Sequence, residues 1–324
     1  MKIFFLSALT FFSLTGFSQD DLLKMLDTVG TKDKALNRVT ATFKDPKVIN
    51  LQTAQTVGAG ELNFNISHRF GSIGVASGGG VHTLYGWDAI SDVRLGFDYG
   101  ITRTLQVGVG RSKRSEALDG NIKWRFLEQT IDNKVPFTAC LYGIASFTPE
   151  VESQLYSGAD STWVAQNKKN EFSHRLSYTT QLILTRKFGN RFSLDIAPGY
   201  THRNYVLANL NTSNSAVDEN DLLSVAVGAR VKLTRSFSLL ADYFYVNSKY
   251  RMNNSANPFY APLSVGIEIE TGGHVFHIDF TNAAGITENY LVPYSPDSWK
   301  NGGYKLGFNI SRVFQICNKK EKKK

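Results

Sequence analysis

The side chains best able to do chemistry in this chain are charged residues that recur at every second position of short alternating segments. Glu61 and Arg69 share one segment; Asp92, Arg94 and Asp98 share the next. Lys123, Arg125, Arg175, Asp195, Arg230, Lys232, Asp242, Glu268, Glu270, His277, Asp279 and Lys305 continue the series. Gathered around one axis, such a mixture of signs makes either a polar passage whose charges tune selectivity or a lumen closed by internal ion pairs. Catalysis finds less support. Three triplets, Ser67-His68-Arg69, Ser173-His174-Arg175 and Thr201-His202-Arg203, combine a hydroxyl with an imidazole. Strand parity turns their histidines to one face and the neighbouring Ser or Thr and Arg to the other. A lipid-headgroup contact, an external metal site or simple interfacial polarity would each use histidines placed so. Acyl hydrolysis needs a serine beside a histidine on the same face. Ser67, Ser177, Ser193, Ser224, Ser264 and Ser311 take the opposite parity.

Other catalytic signatures are equally thin. His274 and His277 fall on opposite faces of one strand, so they are no ready ligand pair. Gly78-Gly79-Gly80 lacks the strand–helix setting of a phosphate loop. Cys140 and Cys317, the two cysteines, supply neither a disulfide framework nor a four-thiolate zinc site, and a bond between them would need the chain end to reach across the fold. No enzyme, cofactor or metal centre is expected.

The elements that position the charges are strands. Between Glu61 and Phe70, Leu62, Phe64, Ile66, His68 and Phe70 alternate with Glu61, Asn63, Asn65, Ser67 and Arg69. A strand sends successive side chains to opposite faces, so one face is apolar and the other polar. The pattern predicts twelve strands, near 61–70, 89–99, 104–113, 117–128, 136–147, 173–188, 191–203, 221–234, 236–247, 262–270, 274–281 and 303–314. Most have the roughly nine to eleven residues that cross a bilayer at a tilt. Short links such as Gly189-Asn190 and Thr271-Gly272-Gly273, with a longer but compact one at 129–135, alternate with long ones at 71–88, 148–172, 204–220, 248–261 and 282–302, apart from a modest loop near 114–116. That is the plan of an outer-membrane barrel, with short periplasmic turns, long external loops and, for an even strand count, both termini periplasmic. Phe or Tyr stands near both ends of most apolar stripes, as girdles at two lipid interfaces require. In hydrocarbon no strand edge can stay unpaired, so the sheet must close.

Composition agrees. The chain has 324 residues, 42% of them hydrophobic and 20% charged, with 27 Gly and 40 aromatics (22 Phe, 14 Tyr, 4 Trp), which excludes a disordered chain. No apolar run of membrane-helix length follows residue 20, which excludes a polytopic helical protein. Lys2, the apolar run Ile3–Phe17 and the small residues Gly16 and Ser18 read as a signal peptide cut after Ser18. Residues 19–59 then form a leader, with a brief helix near Leu22–Leu26, that is either flexible or folded back as a plug. The end Lys319-Lys320-Glu321-Lys322-Lys323-Lys324 supplies much of the net charge of +8. In an exported chain it reads as a solvated basic tail, not a nucleic-acid site.

Several stretches carry a family resemblance: VTATFKDPKVINLQTAQTVGAGELNFNISHRFG (39–71), LGFDYGITRTLQVGVGRS (95–112), HRLSYTTQLILTRKF (174–188), ETGGHVFHIDFTNAAGITE (270–288) and LGFNISRVF (306–314). They resemble a Bacteroidete family of outer-membrane β-barrel proteins of unknown function. The resemblance implies a barrel and brings no catalytic residues with it. The resulting expectation is an all-β, closed antiparallel transmembrane barrel over 60–314, flanked by a signal (1–18), a leader or plug (19–59) and a basic tail (315–324). A channel or small-solute transporter leads the functional readings. A plugged structural barrel displaying its loops comes second, and a membrane-embedded hydrolase third. Expected partners are outer-membrane lipid and, during biogenesis, the barrel-assembly machinery.

Overall fold

The computed structural model describes residues 37–149, 172–207 and 209–317. The expected signal peptide, the helix near Leu22–Leu26, most of the 148–172 loop and the Lys-rich end lie outside the described residues. Twelve antiparallel strands are described: β1 (Glu61–Ser72), β2 (Ile90–Gly100), β3 (Leu105–Ser112), β4 (Leu118–Leu127), β5 (Thr138–Phe147), β6 (Leu176–Phe188), β7 (Phe192–Arg203), β8 (Asp221–Lys232), β9 (Phe237–Asn247), β10 (Leu263–Thr271), β11 (His274–Thr281) and β12 (Lys305–Gln315). Each pairs with its sequence neighbours, and β1 pairs with both β2 and β12, so the sheet closes without an edge.

Register follows the alternation. Leu62, Phe64, Ile66 and His68 of β1 stand opposite Tyr99, Phe97, Leu95 and Val93 of β2. On the other side they meet Phe314, Arg312, Ile310 and Phe308 of β12. A slip of one residue would turn every apolar side chain inward, so this pairing is strongly specified. The outer wall shows what a water-facing surface would not: Val109, Ile122, Trp124, Leu223 and Tyr245 are each more than half exposed. Gly189 and Gly273, both at positive φ, close the tight β6–β7 and β10–β11 turns.

The inner wall departs from the expected uniform hydrophilic axis. Inward positions of β1–β4 and β10–β12 are largely polar; those of β5–β9 are mixed, with buried Gln181, Asp195, Arg230 and Asp242 beside Cys140, Tyr142, Ile144, Ile183, Ala197, Leu222, Ala226, Leu240 and Phe244, which form an interior apolar cluster. Phe43, Val48, Ile49 and Leu51 join that cluster, so its apolar wall residues have a cover supplied by the chain itself.

Candidate functional site

The candidate site is the bore, and residues 38–58 occupy it. The segment enters at the turn end, where Val39 N–H donates to the Gln129 carbonyl (2.8 Å), Lys187 Nζ to the Thr40 carbonyl (3.0 Å) and Ser193 Oγ to the Thr42 carbonyl (2.6 Å). Lys44 then pairs with Glu270 at 3.0 Å, and Ser311 Oγ donates to Asp45 Oδ1 at 2.6 Å. A small hairpin follows: Lys47 bridges Gln52, Val48 N–H donates to the Leu51 carbonyl and Thr53 N–H to the Pro46 carbonyl, both at 2.8 Å.

The hairpin tip rests on a single carboxylate. Asp242 Oδ2 accepts from the backbone N–H of Ile49 (3.2 Å), Asn50 (2.6 Å) and Leu51 (3.0 Å). These donors could not pair within so tight a turn, and the carboxylate satisfies them where water is excluded. The Asn50 amide donates to Ser264 Oγ (2.8 Å) and Thr281 Oγ1 (3.2 Å) and accepts from Arg69 Nη2 (3.2 Å). Lys123 Nζ holds the Pro46 carbonyl at 3.1 Å and the Gln55 carbonyl at 3.4 Å. On the apolar side Gly228 lets the hairpin approach: a Cβ there would lie 2.8 Å from Leu51 Cδ2 and 3.0 Å from Val48 Cγ2. The chain then returns to the turn end, where Thr56 Oγ1 donates to the Arg103 carbonyl (2.8 Å) and Val57 N–H to Gln106 Oε1 (3.0 Å).

The loop end is also filled. Ala283, Ala284, Ile286, Glu288, Asn289, Leu291 and Val292 are buried, and one helical turn, α1 (Glu288–Leu291), sits among them. Asn289 Nδ2 donates to Ser177 Oγ at 2.9 Å, and Ile286 N–H to Asp92 Oδ2 at 3.2 Å. Lys47 Nζ reaches the Ile286 carbonyl at 3.2 Å, so the two inserted segments touch inside the barrel. The next loop inward is fastened to the same segment by Arg251 Nε donating to the Pro293 carbonyl at 3.1 Å.

Most of the charged residues read from parity point into this packed interior. Arg94 grips Asp119 through two bonds, Nε to Oδ2 at 2.9 Å and Nη2 to Oδ1 at 2.6 Å. It lies flat because the inward positions beside it are Gly96 and Gly110, and a Cβ at Gly110 would collide with its Nη2. Asp98 accepts from Asn65 Nδ2 at 2.9 Å. Arg230 joins Glu268 and Glu270, each with a 2.8 Å bond, and His277 Nε2 stands 3.5 Å from Glu268. Arg69 pairs with Asp279 at 3.4 Å and Lys305 with Asp297 at 2.5 Å. Asp195 is buried beside its register partner Thr185. Arg125, Glu61 and Lys232 are half-buried near the turn end; Arg125 bonds Glu128 at 3.0 Å, and Glu61 accepts from Gly58 N–H at 3.0 Å. Arg175 is a correction. It lies in a short 3-10 turn (Phe172–Arg175) ahead of β6, outside the ladder, so strand parity does not orient it.

His68 and His202 sit outward as parity requires, whereas His174 shares the 3-10 turn of Arg175, where strand parity does not orient it. His68 stacks on Phe308 with ring centroids 5.1 Å apart, and His202 Nδ1 meets Asp221 at 2.7 Å. Both cysteines are free thiols, Cys140 buried and Cys317 exposed. Parity alone also marks Asp119, which shares its strand and face with Lys123. The buried run Ala283–Val292 announces itself only as a stretch unusually apolar for an external loop.

One narrow cavity lies between hairpin and wall. It measures about 30 Å3, is lined by Asn63, Asn65, Asn121, Asn309, Ser67 and Tyr142 among others, and has room for about two waters.

Similar barrels are found among solved structures. The NanC porin shares 9% identity at a TM-score of 0.45, over 78% of this chain and 98% of that one. An outer membrane channel from Pseudomonas putida F1 shares 11% at 0.42, over 81% and 98%, and an outer membrane protein of Acinetobacter baumannii shares 8% at 0.36, over 78% and 98%. A search of curated proteins finds no match. A family model described as "Membrane bound beta barrel domain (DUF5777)" matches residues 43–314, and the chain belongs to that family.

Proposed function

We propose that this protein is an outer-membrane channel for small polar solutes that rests in a closed state, with residues 38–58 as its plug and the 282–302 loop as its outer cover. The observation that carries the reading is the contact of these segments inside the bore, Lys47 Nζ on the Ile286 carbonyl at 3.2 Å. The plug is held on its polar side by Asp242, Lys123 and Arg69, groups that water can solvate equally well once the plug moves. A wall built for permanent closure gains little from such charges, because buried ion pairs add little net stability over apolar packing.

A second reading, a permanently sealed barrel that displays its loops, is favoured by the interior apolar cluster. Removing the plug would expose Ile183, Leu222 and Phe244 to water, at about 1.5–3 kcal/mol for each fully uncovered side chain. Planar-bilayer recording separates the two. The channel reading expects a wild-type protein that is silent at rest and opens in discrete events when its plug anchors are weakened. Steady large conductance in the wild type would refute closure. Silence in every anchor variant would leave the sealed barrel as the correct reading.

A further inference from the structure

At the turn-side rim, the β4–β5 turn, the β6–β7 turn and residues 38–40 border an open cleft of about 610 Å3. Gln129 makes its floor rigid by tying the turns together: its Oε1 accepts from Lys187 N–H at 2.9 Å and its Nε2 donates to the Lys187 carbonyl at 3.1 Å. Arg38, Arg186 and Lys187 line the cleft, and no carboxylate is among the described lining residues. Of the neighbouring acids, Asp132 pairs with Lys134 at 3.4 Å, and Glu128 is already shared by Arg38 (2.5 Å), Arg103 (2.5 Å) and Arg125 (3.0 Å), one negative charge against three guanidiniums. Arg186 lies over the Phe188 ring, 4.9 Å from its centroid, and among the described residues its Nη2 donates to the neutral Asn133 Oδ1 at 3.3 Å. The cleft therefore carries surplus positive charge.

Its outer lip is apolar. Ile131 is 71% exposed and Phe188 45%, and Phe188 packs on Phe192 with centroids 5.7 Å apart. Arg186 and Lys187, adjacent on β6, point to opposite faces and straddle the rim. Cations within and exposed hydrocarbon toward the lipid side match an amphiphile with an anionic head. We propose that this cleft binds the phosphodiester headgroup of an anionic phospholipid from the leaflet on the turn side, its acyl chains running past Ile131 and Phe188. Arginine suits the headgroup because its planar fork meets two phosphate oxygens at once. A free phosphate would meet the same cations and nothing of the lip.

The test uses the full chain in nonionic detergent, with binding of short-chain phosphatidylglycerol, phosphatidylcholine and inorganic phosphate measured separately. The proposal expects phosphatidylglycerol to bind at least tenfold more tightly than either alternative. The double variant Arg186→Gln/Lys187→Gln should lose at least tenfold, and Ile131→Ser should weaken lipid without changing phosphate. Arg235→Gln, at the exposed β8–β9 turn, should match wild type. Heat-modifiable migration on gels confirms that each variant is folded. Equal binding of the two lipids, phosphate binding as tightly as lipid, or an Arg235→Gln loss equal to the double variant's would each overturn the proposal.

Discussion

Replacing Asp242 by alanine removes the one carboxylate oxygen that accepts from Ile49, Asn50 and Leu51 at 3.2, 2.6 and 3.0 Å. Three backbone N–H groups at the buried hairpin tip then lose their partner. Each costs about 1–3 kcal/mol, so even the lower figure gives about 3 kcal/mol against the closed state. At about 1.4 kcal/mol per factor of ten, the ratio of open to closed protein rises about a hundredfold. Asp242→Asn keeps an oxygen acceptor but loses the charge, and should fall between wild type and Asp242→Ala. Single-channel recording reads the effect directly as open probability. The reasoning fails if folded Asp242→Ala stays within twofold of wild type, because the plug would then be held by something other than this carboxylate.

Two further substitutions probe the wall. Gly110→Val places a side chain where the Arg94 guanidinium lies and should break its pair with Asp119. Breaking a buried pair costs about 3–5 kcal/mol, which urea unfolding in detergent micelles should report; a change below about 0.5 kcal/mol would contradict the assigned packing. Phe97→Arg puts a charge on the outer face of β2, where Phe97 stacks on Phe64 at 5.0 Å. It should cost about 2–4 kcal/mol for folding into lipid if that face meets the bilayer centre, and almost nothing if it meets water.

The wall was legible because a period of two survives in a sheet whose faces meet different surroundings. Leu62 to Phe70 reads correctly without knowledge of any other strand, and so do the lengths of the links. Arg175 misled because the alternation extends ahead of the point where pairing begins, and only the ladders to β5 and β7 define that point. The interior apolar cluster was harder to read. β5 carries Cys140, Tyr142 and Ile144 inward and Leu141 outward, so neither face is marked by polarity. The plug was least legible. Residues 38–58 have no periodicity, and their conformation is set by partners such as Asp242, about 190 positions along the chain. Local propensity contains no record of such contacts.

The central claim is that residues 38–58 fill the bore in the resting protein. Asn50 Nδ2 lies 2.8 Å from Ser264 Oγ, across the interface between plug and wall. Cysteines at these two positions, on a Cys140→Ser/Cys317→Ser background, should be joined in near-quantitative yield by a short thiol cross-linker applied to membranes, and the joined protein should pass no current. Failure to cross-link, together with a steady pore in the same preparation, would mean that the plug lies elsewhere.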